Sequence, residues 1–423
     1  VNGTMTPLVD CEDVAWFRDE PRAARGAAAA LGRRIGLDGH RTAELVLAVT
    51  ELATNMAKHS QDGSLVLRVL RTPQVAGVEV VVVDQGPGMA DVATALRDGT
   101  SSTGTLGIGL GAVQRLADTF DIHSRPGLGT VQLARFWPRP LPFPPDAEPA
   151  IGGITRPISS ETACGDAWAT RTDDGTHTAR APSPPAGERG ASTAPPVLDW
   201  SAVTRPHLLG RTAPAAGRTA SAARTPSDRT VSSARTPSER TASAGRSALV
   251  RSAVPGPGRA VLVMSCDGLG HGPMAALAGQ AAAQALRTST ARTPEEIMQH
   301  VHRALRGTRG AAVAIARIEA DGRVLFCGVG NVTAAVVTAG TRANLLSHPG
   351  IVGHQMRQLR TYEQHMPAHA ALVLHSDGLS DRWTPGDLSG LLPHRPAVIA
   401  AGLLRLAGTR RDDASVVVAR GPR

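Results

Sequence analysis

Two apolar runs that each end in aspartate followed by glycine constrain this chain more than any other feature. Ala260-Val-Leu-Val-Met264 leads into Ser265-Cys-Asp-Gly-Leu-Gly-His-Gly272, and Ala370-Ala-Leu-Val-Leu374 leads into His375-Ser-Asp-Gly-Leu379. Both runs read as buried strands. A carboxylate at the tip of a strand, followed by a residue without a side chain, can lean on a hard cation unobstructed. Two such tips, with Asp166 after Gly165 and the pair Asp412-Asp413, supply the carboxylates that a two-metal hydrolytic site needs.

At 423 residues the chain exceeds one ordinary core, so two domains and a linker are expected. No apolar run approaches the ~20 residues of a membrane span. No basic stretch followed by an apolar segment opens the chain, and a cytoplasmic protein with no membrane partner is expected. The net charge of +9 does not mark a nucleic-acid-binding face. Between Arg205 and Arg259 ten arginines stand against Asp228 and Glu239, so eight of the nine charges sit in one low-complexity tract. Aromatic residues, at 3%, are too few for base-stacking platforms. Cys11, Cys164, Cys266 and Cys327 have no C-x-x-C spacing and read as small buried fillers.

Residues 1–137 alternate helical and strand patterns and form the first expected domain. Pro138-Arg-Pro-Leu-Pro-Phe-Pro-Pro145 forbids helix and ladder alike, and 138–150 is read as a proline-rich linker. Residues 151–423 form the second domain, interrupted at about 173–257 by a Ser/Thr/Ala/Pro/Arg-rich insertion. Its scarcity of large apolar side chains predicts disorder. After the insertion, strands are predicted at 259–266, 311–318, 323–328, 332–338, 342–347, 369–375 and 414–420, with helices at 273–287, 294–306 and 396–407.

Upstream, His40–Ser60 reads as a helix whose apolar stripe is Leu45, Val49, Leu52 and Met56. Glu51, Asn55, Lys58 and His59 share another face, which taken alone is an ordinary solvated row. The strand Val78–Val83 then ends in Asp84-Gln-Gly86-Pro-Gly88, and Gly104-Thr-Leu-Gly107-Ile-Gly109-Leu-Gly111 opens a further helix. A glycine-rich loop at a helix N-terminus cradles phosphate through backbone N–H groups. In order and wording these blocks resemble the three ATP-binding boxes of the GHKL (Bergerat) superfamily, closest to the RsbT-type serine kinases of bacterial partner-switching modules. The resemblance implies a two-layer α/β sandwich that binds ATP and Mg²⁺. By it, Asn55 holds the Mg²⁺, with Lys58 beside it, and Asp84 accepts from the adenine amino group. Gly86 and Gly88 let the base approach, and residues 98–111, with Gly107, Gly109 and Gly111, form a lid. Glu51 acts as general base toward a target serine.

Downstream, Asp267-Gly-Leu-Gly-His-Gly272, Ser376-Asp-Gly-Leu-Ser-Asp381, Arg411-Asp-Asp-Ala-Ser-Val-Val-Val418 and Glu161-Thr-Ala-Cys-Gly-Asp-Ala-Trp168 resemble the PPM-type, SpoIIE/RsbX-like serine/threonine phosphatases. The resemblance implies a four-layer αββα sandwich holding two Mn²⁺ or Mg²⁺ ions. Asp267 would bridge them, with the Gly268 carbonyl on one. Asp377 and Asp412 complete the first ion, with Asp413 the alternative to Asp412, and Asp166 serves the second ion or the second shell. The overall class is thus α/β (α+β).

The expected function is a bifunctional partner-switching regulator: a serine kinase and a metal-dependent phosphatase acting on STAS-type anti-anti-sigma or stressosome-like proteins, with a sigma factor or an upstream phosphatase as further partners. Two alternatives stand beside it. One is a phosphatase regulated by a non-catalytic ATP-binding module. The other is an anti-sigma binding protein whose phosphatase resets its antagonist.

Overall fold

In the computed structural model, the described residues are 8–97 except 19, 109–141, 143, 150–173 except 159, 160 and 162, 248–249, and 260–421 except 357. Most of the predicted disordered insertion and most of the predicted lid, including Gly107, lie outside them. Within the insertion's predicted bounds, Asp173 ends one strand and Ala248–Leu249 form another, which pairs antiparallel with Tyr362 and Glu363.

The N-terminal elements are β1 (Asp10–Phe17), α1 (Ala24–Arg34), α2 (Gly39–His59), β2 (Ser64–Arg71), β3 (Ala76–Val83), α3 (Val92–Ala95), α4 (Gly109–Leu116), β4 (Thr119–Arg125) and β5 (Gly129–Phe136). The strands form an antiparallel sheet in the order β1-β2-β3-β5-β4. Helix α2 starts where Asp38 caps it, its carboxylate accepting from the Arg41 N–H at 2.7 Å. Its buried side includes Leu45, Val49, Leu52 and Met56, the stripe predicted from spacing.

The C-terminal elements are β6 (Ile151–Arg156), β7 (Asp166–Asp173), β8 (Ala248–Leu249), β9 (Ala260–Gly268), α5 (Pro273–Thr288), α6 (Pro294–Ala304), β10 (Ala311–Ile318), β11 (Arg323–Val329), β12 (Thr333–Val337) and β13 (Arg342–Leu345). There follow β14 (Ser347–His348), β15 (Gly350–Ile351), β16 (Gln355–Met356), β17 (Tyr362–His365), β18 (Ala371–His375), α7 (Pro385–Leu388), α8 (Pro396–Ala407) and β19 (Ala414–Arg420). One sheet runs β7-β9-β10-β11-β17-β8, with β14 beside β11, and the other runs β13-β12-β18-β19-β6.

Side-chain alternation sorts these strands into layers. On β10, Ala312, Ala314, Ala316 and Ile318 face the second sheet, where they meet Ala334, Val336, Leu372, Leu374 and Val417. The intervening Ala311, Val313 and Ile315 lie with Ala278, Ala282 and Leu286 of α5 and Ile297 and Val301 of α6. The opposite face of the second sheet, through Ala335, Val337, Val373, Val416 and Val418, packs on α8. The result is the expected αββα sandwich. Capping residues fix the helix starts: Thr293 and Glu296 close a reciprocal capping box at α6, with Pro294 in its first turn.

Helix α8 also serves the N-terminal sandwich. Val66, Val81, Val131 and Leu133, on one face of the first sheet, belong to the same apolar cluster as Ala397–Ala401, Leu403 and Leu404. The outer helix of one sandwich is therefore the cover of the other. Polar groups pin this joint. Buried Arg68 pairs with Glu79 at 2.8 Å and Asp13 at 2.5 Å, and donates across the joint to the Gly153 carbonyl. Asp13 in turn accepts from the Thr155 N–H and hydroxyl at 3.0 and 2.6 Å. At the start of α8, Asp121 accepts from the Arg395 N–H at 2.8 Å and lies 2.7 Å from His394 Nδ1. No helix among the described residues is long and apolar enough to cross a membrane.

A shared core predicts shared unfolding. Leu133→Ala, at a fully buried position, is expected to cost about 2–5 kcal/mol and to lower the midpoint of one urea transition seen by probes in both sandwiches. Two separate transitions, only one of them displaced, would contradict it.

Candidate metal centre and nucleotide site

Strands β7 and β9 pair in antiparallel register with Asp166 directly opposite Asp267. Both side chains lie on the strand face that carries Trp168 and Val263, and so point into the seam between the two sheets. The register thus brings two carboxylates together across the whole insertion. Asp377 follows β18 and Asp412 precedes β19, and both act electrostatically on Asp267. Burial first, then Asp166, Asp377 and Asp412, push the Asp267 carboxyl up to about 9. Asp166, 5% exposed, is raised to about 7, mainly by burial, while the hydroxyls of Ser376 and Ser415 oppose the shift.

These residues fit hard divalent cations. The donors are carboxylates, the Asp166 Oδ2 atom is buried without a hydrogen-bond partner, and the mutual repulsion is what a positive ion relieves. Among the described residues no three His, Cys, Asp or Glu side chains form a ready-made cage for one ion. Ions held here would keep several waters, the usual habit of Mg²⁺.

The choice between Asp412 and Asp413 turns on hydrogen bonding. Asp413 is 3% exposed and both its oxygens are engaged, accepting from the Ile158 N–H at 2.7 Å and the Gly165 N–H at 2.6 Å. It clamps the segment before β7 in place. Asp412 is exposed and faces Asp267 electrostatically, so it is the freer of the two. The glycines after the aspartates are required by packing. A Cβ on Gly268 would come within 2.6 Å of the Ala275 carbonyl, and one on Gly378 would overlap the Asp413 carbonyl.

Three further residues stand at this site outside the expected ligand set: Asn331, His271 and Asp381. Asn331, between β11 and β12, donates to Asp377 Oδ2 at 2.8 Å. His271 Nδ1 lies 3.2 Å from Glu161 Oε1, tying the β9–α5 loop to the segment before β7. Asp381 lies 2.6 Å from the Arg342 guanidinium, which sits over the Trp383 ring at 3.7 Å. A hydrogen bond from His375, then Arg342, holds the Asp381 carboxyl well below the usual carboxylate range. This cluster fixes the loop that carries Asp377. Burial pushes the Cys266 and Cys164 thiols up, which fits inert fillers.

In the N-terminal sandwich, Glu51 and Asn55 are half-buried on α2 one turn apart, and Lys58 is exposed. Asp84, 6% exposed at the end of β3, accepts from the Gly86 N–H at 2.7 Å, and burial raises its carboxyl. A Cβ on Gly86 would stand 2.7 Å from the His59 carbonyl at the end of α2, so the Asp84 loop seats against that helix. Gly88 has φ +67°, and a Cβ there would overlap the Arg125 carbonyl. Contacts within the chain therefore already require both glycines, whatever room a base needs. Gly109 opens α4 with φ +72° and Gly111 is buried on it.

The acidic cluster gives stability a pH dependence with a definite sign. Without cations, folded Asp267 keeps its proton up to about pH 9, whereas its ordinary value is 3.8. The folded state therefore binds more protons in that window, and stability falls as pH rises through it. In EDTA, Asp267→Asn is expected to flatten the fall of Tm between about pH 4 and pH 9, measured by calorimetry. An unchanged slope would show that Asp267 is not the source.

Comparison with known proteins agrees with this division. The family model for the histidine kinase-like ATPase domain matches residues 18–135, and that for stage II sporulation protein E (SpoIIE) matches residues 257–422. The serine/threonine-protein kinase RsbT of Bacillus subtilis (strain 168) is 32% identical over 117 residues, covering 28% of this chain and 88% of the relative. A solved structure from the bacterial stressosome is 22% identical, covering 64% of this chain and 98% of that one, with a TM-score of 0.41. RsbX in complex with magnesium is 14% identical, covering 63% and 92%, with a TM-score of 0.39. The chain belongs, through its N-terminal sandwich, to the RsbT-like histidine kinase-type ATPases, and carries fused to it a phosphatase domain of the SpoIIE type.

Proposed function

We infer that this protein both attaches and removes phosphate: an ATP-dependent serine kinase and a metal-dependent phosphoserine/phosphothreonine phosphatase in one chain, directed at STAS-type anti-anti-sigma proteins. The observation that carries the phosphatase half is the register pairing of Asp166 with Asp267, beside Asp377 and Asp412, at the end of the inter-sheet seam. Asp267, Asp377, Asp412 and the Gly268 carbonyl would hold a pair of Mn²⁺ or Mg²⁺ ions, with Asp166 behind them. Such ions, when bound, supply a deprotonated water for in-line attack on phosphorus. Asn331 orients Asp377, and Asp413 holds the wall that carries Asp166.

In the kinase half, Asp84 would accept from the adenine amino group and Asn55 would hold Mg²⁺ on the triphosphate. Glu51, one turn from Asn55, would take the serine proton. Positioning and electrostatic clamping supply most of the catalysis in such transfers. The 32% identity to a kinase, RsbT, supports this half. The second reading, an ATP-binding module that regulates the phosphatase, is favoured by the core that the two sandwiches share on α8. Fusing opposed activities would in either case raise their effective concentration at one target.

Asp267→Asn and Asp377→Asn are each expected to lower Mn²⁺-dependent release of phosphate from a phosphorylated STAS protein at least about a hundredfold, with ATP binding unchanged. Full turnover by either variant would remove the metal assignment. Glu51→Ala is expected to slow transfer from ATP to the STAS serine by about 10²–10⁴-fold, followed by mass spectrometry. Absence of transfer in the unaltered protein would leave the regulatory reading in its place.

A further inference from the structure

The joint between the two sandwiches holds a cavity of about 280 Å³ on the α8 side of the first sheet, which shares Asp84 with the nucleotide site and none of its lining with the acidic cluster. Its walls come from both domains. Trp16 and Arg18 stand at the end of β1, Arg156 at the end of β6, Arg405 on α8 and Arg410 in the loop after it. Four guanidinium groups thus line a space whose carboxylates are Asp62 and Asp84. Asp62 is taken up in an ion pair with Arg410. Arg156 donates to an uncharged group, the Thr409 carbonyl.

Two donors have nothing to bond. Arg405 Nη1 and Trp16 Nε1 are both buried atoms without a hydrogen-bond partner. Orphaned buried donors are rare and costly, and a charged one more so. Burial also depresses Arg156 and Arg405; Arg18 adds to the shift at Arg156, while the Asp84 carboxylate opposes it at Arg405 without reversing it. An anion inside the cavity would satisfy the donors and offset the repulsion together. Arginine forks match the paired oxygens of phosphate, and the volume, at the lower end of ligand sites, suits a small anion.

We propose that this inter-domain cavity is a binding site for a small phosphate-bearing anion, held by Arg156 and Arg405 with the Trp16 indole N–H. The occupant would bridge the two domains. One wall, Asp84-Gln85, leads into the Gly86 loop of the nucleotide site, and another, Arg410, stands two residues before Asp412. Occupancy would stabilise the docked arrangement by mass action.

The test is calorimetric titration of the full chain with sodium pyrophosphate, and separately with ADP, in EDTA so that the phosphatase centre carries no cations. Pyrophosphate is expected to bind, with Arg405→Gln and Arg156→Gln each weakening it at least about tenfold. Asn55→Ala and Asp267→Asn are expected to leave pyrophosphate binding unchanged. If ADP binding also falls in Arg405→Gln, the anion is the phosphate tail of a nucleotide; if only pyrophosphate binding falls, it is a free phosphoanion. Either outcome supports the site. Should Arg405→Gln fail to fold by circular dichroism, Arg156→Lys, which keeps the charge and loses the fork, is expected to weaken binding in the same direction. No binding of pyrophosphate, binding undiminished in the folded arginine variants, or binding lost in Asn55→Ala would each overturn the proposal.

Discussion

Burial of one helix between two sheets is the constraint on which this architecture rests. Helix α8, Pro-Ala-Val-Ile-Ala-Ala-Gly-Leu-Leu-Arg-Leu-Ala, is apolar around nearly its whole circumference, and a helix of that kind is stable only when covered on all sides. The second phosphatase sheet covers one side and the sheet of the ATPase sandwich the other. Small residues set how closely these layers approach. A Cβ on Gly152 of β6 would stand 2.5 Å from the Ala397 backbone nitrogen, and one on Gly402 would stand 2.7 Å from the Leu391 side chain. Dispersion and apolar burial at this spacing couple the two folds.

Most elements of the fold were legible because their periodicities are strong. The helix predicted over 40–60 spans Gly39–His59, that predicted over 396–407 spans Pro396–Ala407, and the strand predicted over 311–318 is Ala311–Ile318. The acidic motifs declared a site by residue type and order. Their geometry was not legible, because which residue of β7 faces which of β9 depends on hydrogen-bond register over a long intervening segment. Nor could sequence separate Asp412 from Asp413: adjacent carboxylates are alike until the backbone shows which one meets the Ile158 and Gly165 amides.

The joint between domains leaves two signals in the sequence, each local to one element. Val78–Val83 is apolar at nearly every position rather than at alternate ones, the mark of a strand buried on both faces. The 396–407 segment lacks a polar face of its own. Each marks an element by itself, and neither alone marks half of an interface. Arg68 was invisible for a different reason, since a lone arginine on a strand gives no hint of being buried among Asp13, Glu79 and a carbonyl from another domain.

The pairing of β7 with β9 has a consequence for how this chain can vary. Asp173, the last residue of one strand, lies opposite Ala260, the first of the other, so the intervening passage departs and returns at neighbouring points. The entropic cost of closing such a passage rises only with the logarithm of its length. Outside the short stretch Ala248–Leu249 that pairs with β17, a change in its length therefore costs little and leaves Asp166 and Asp267 in register.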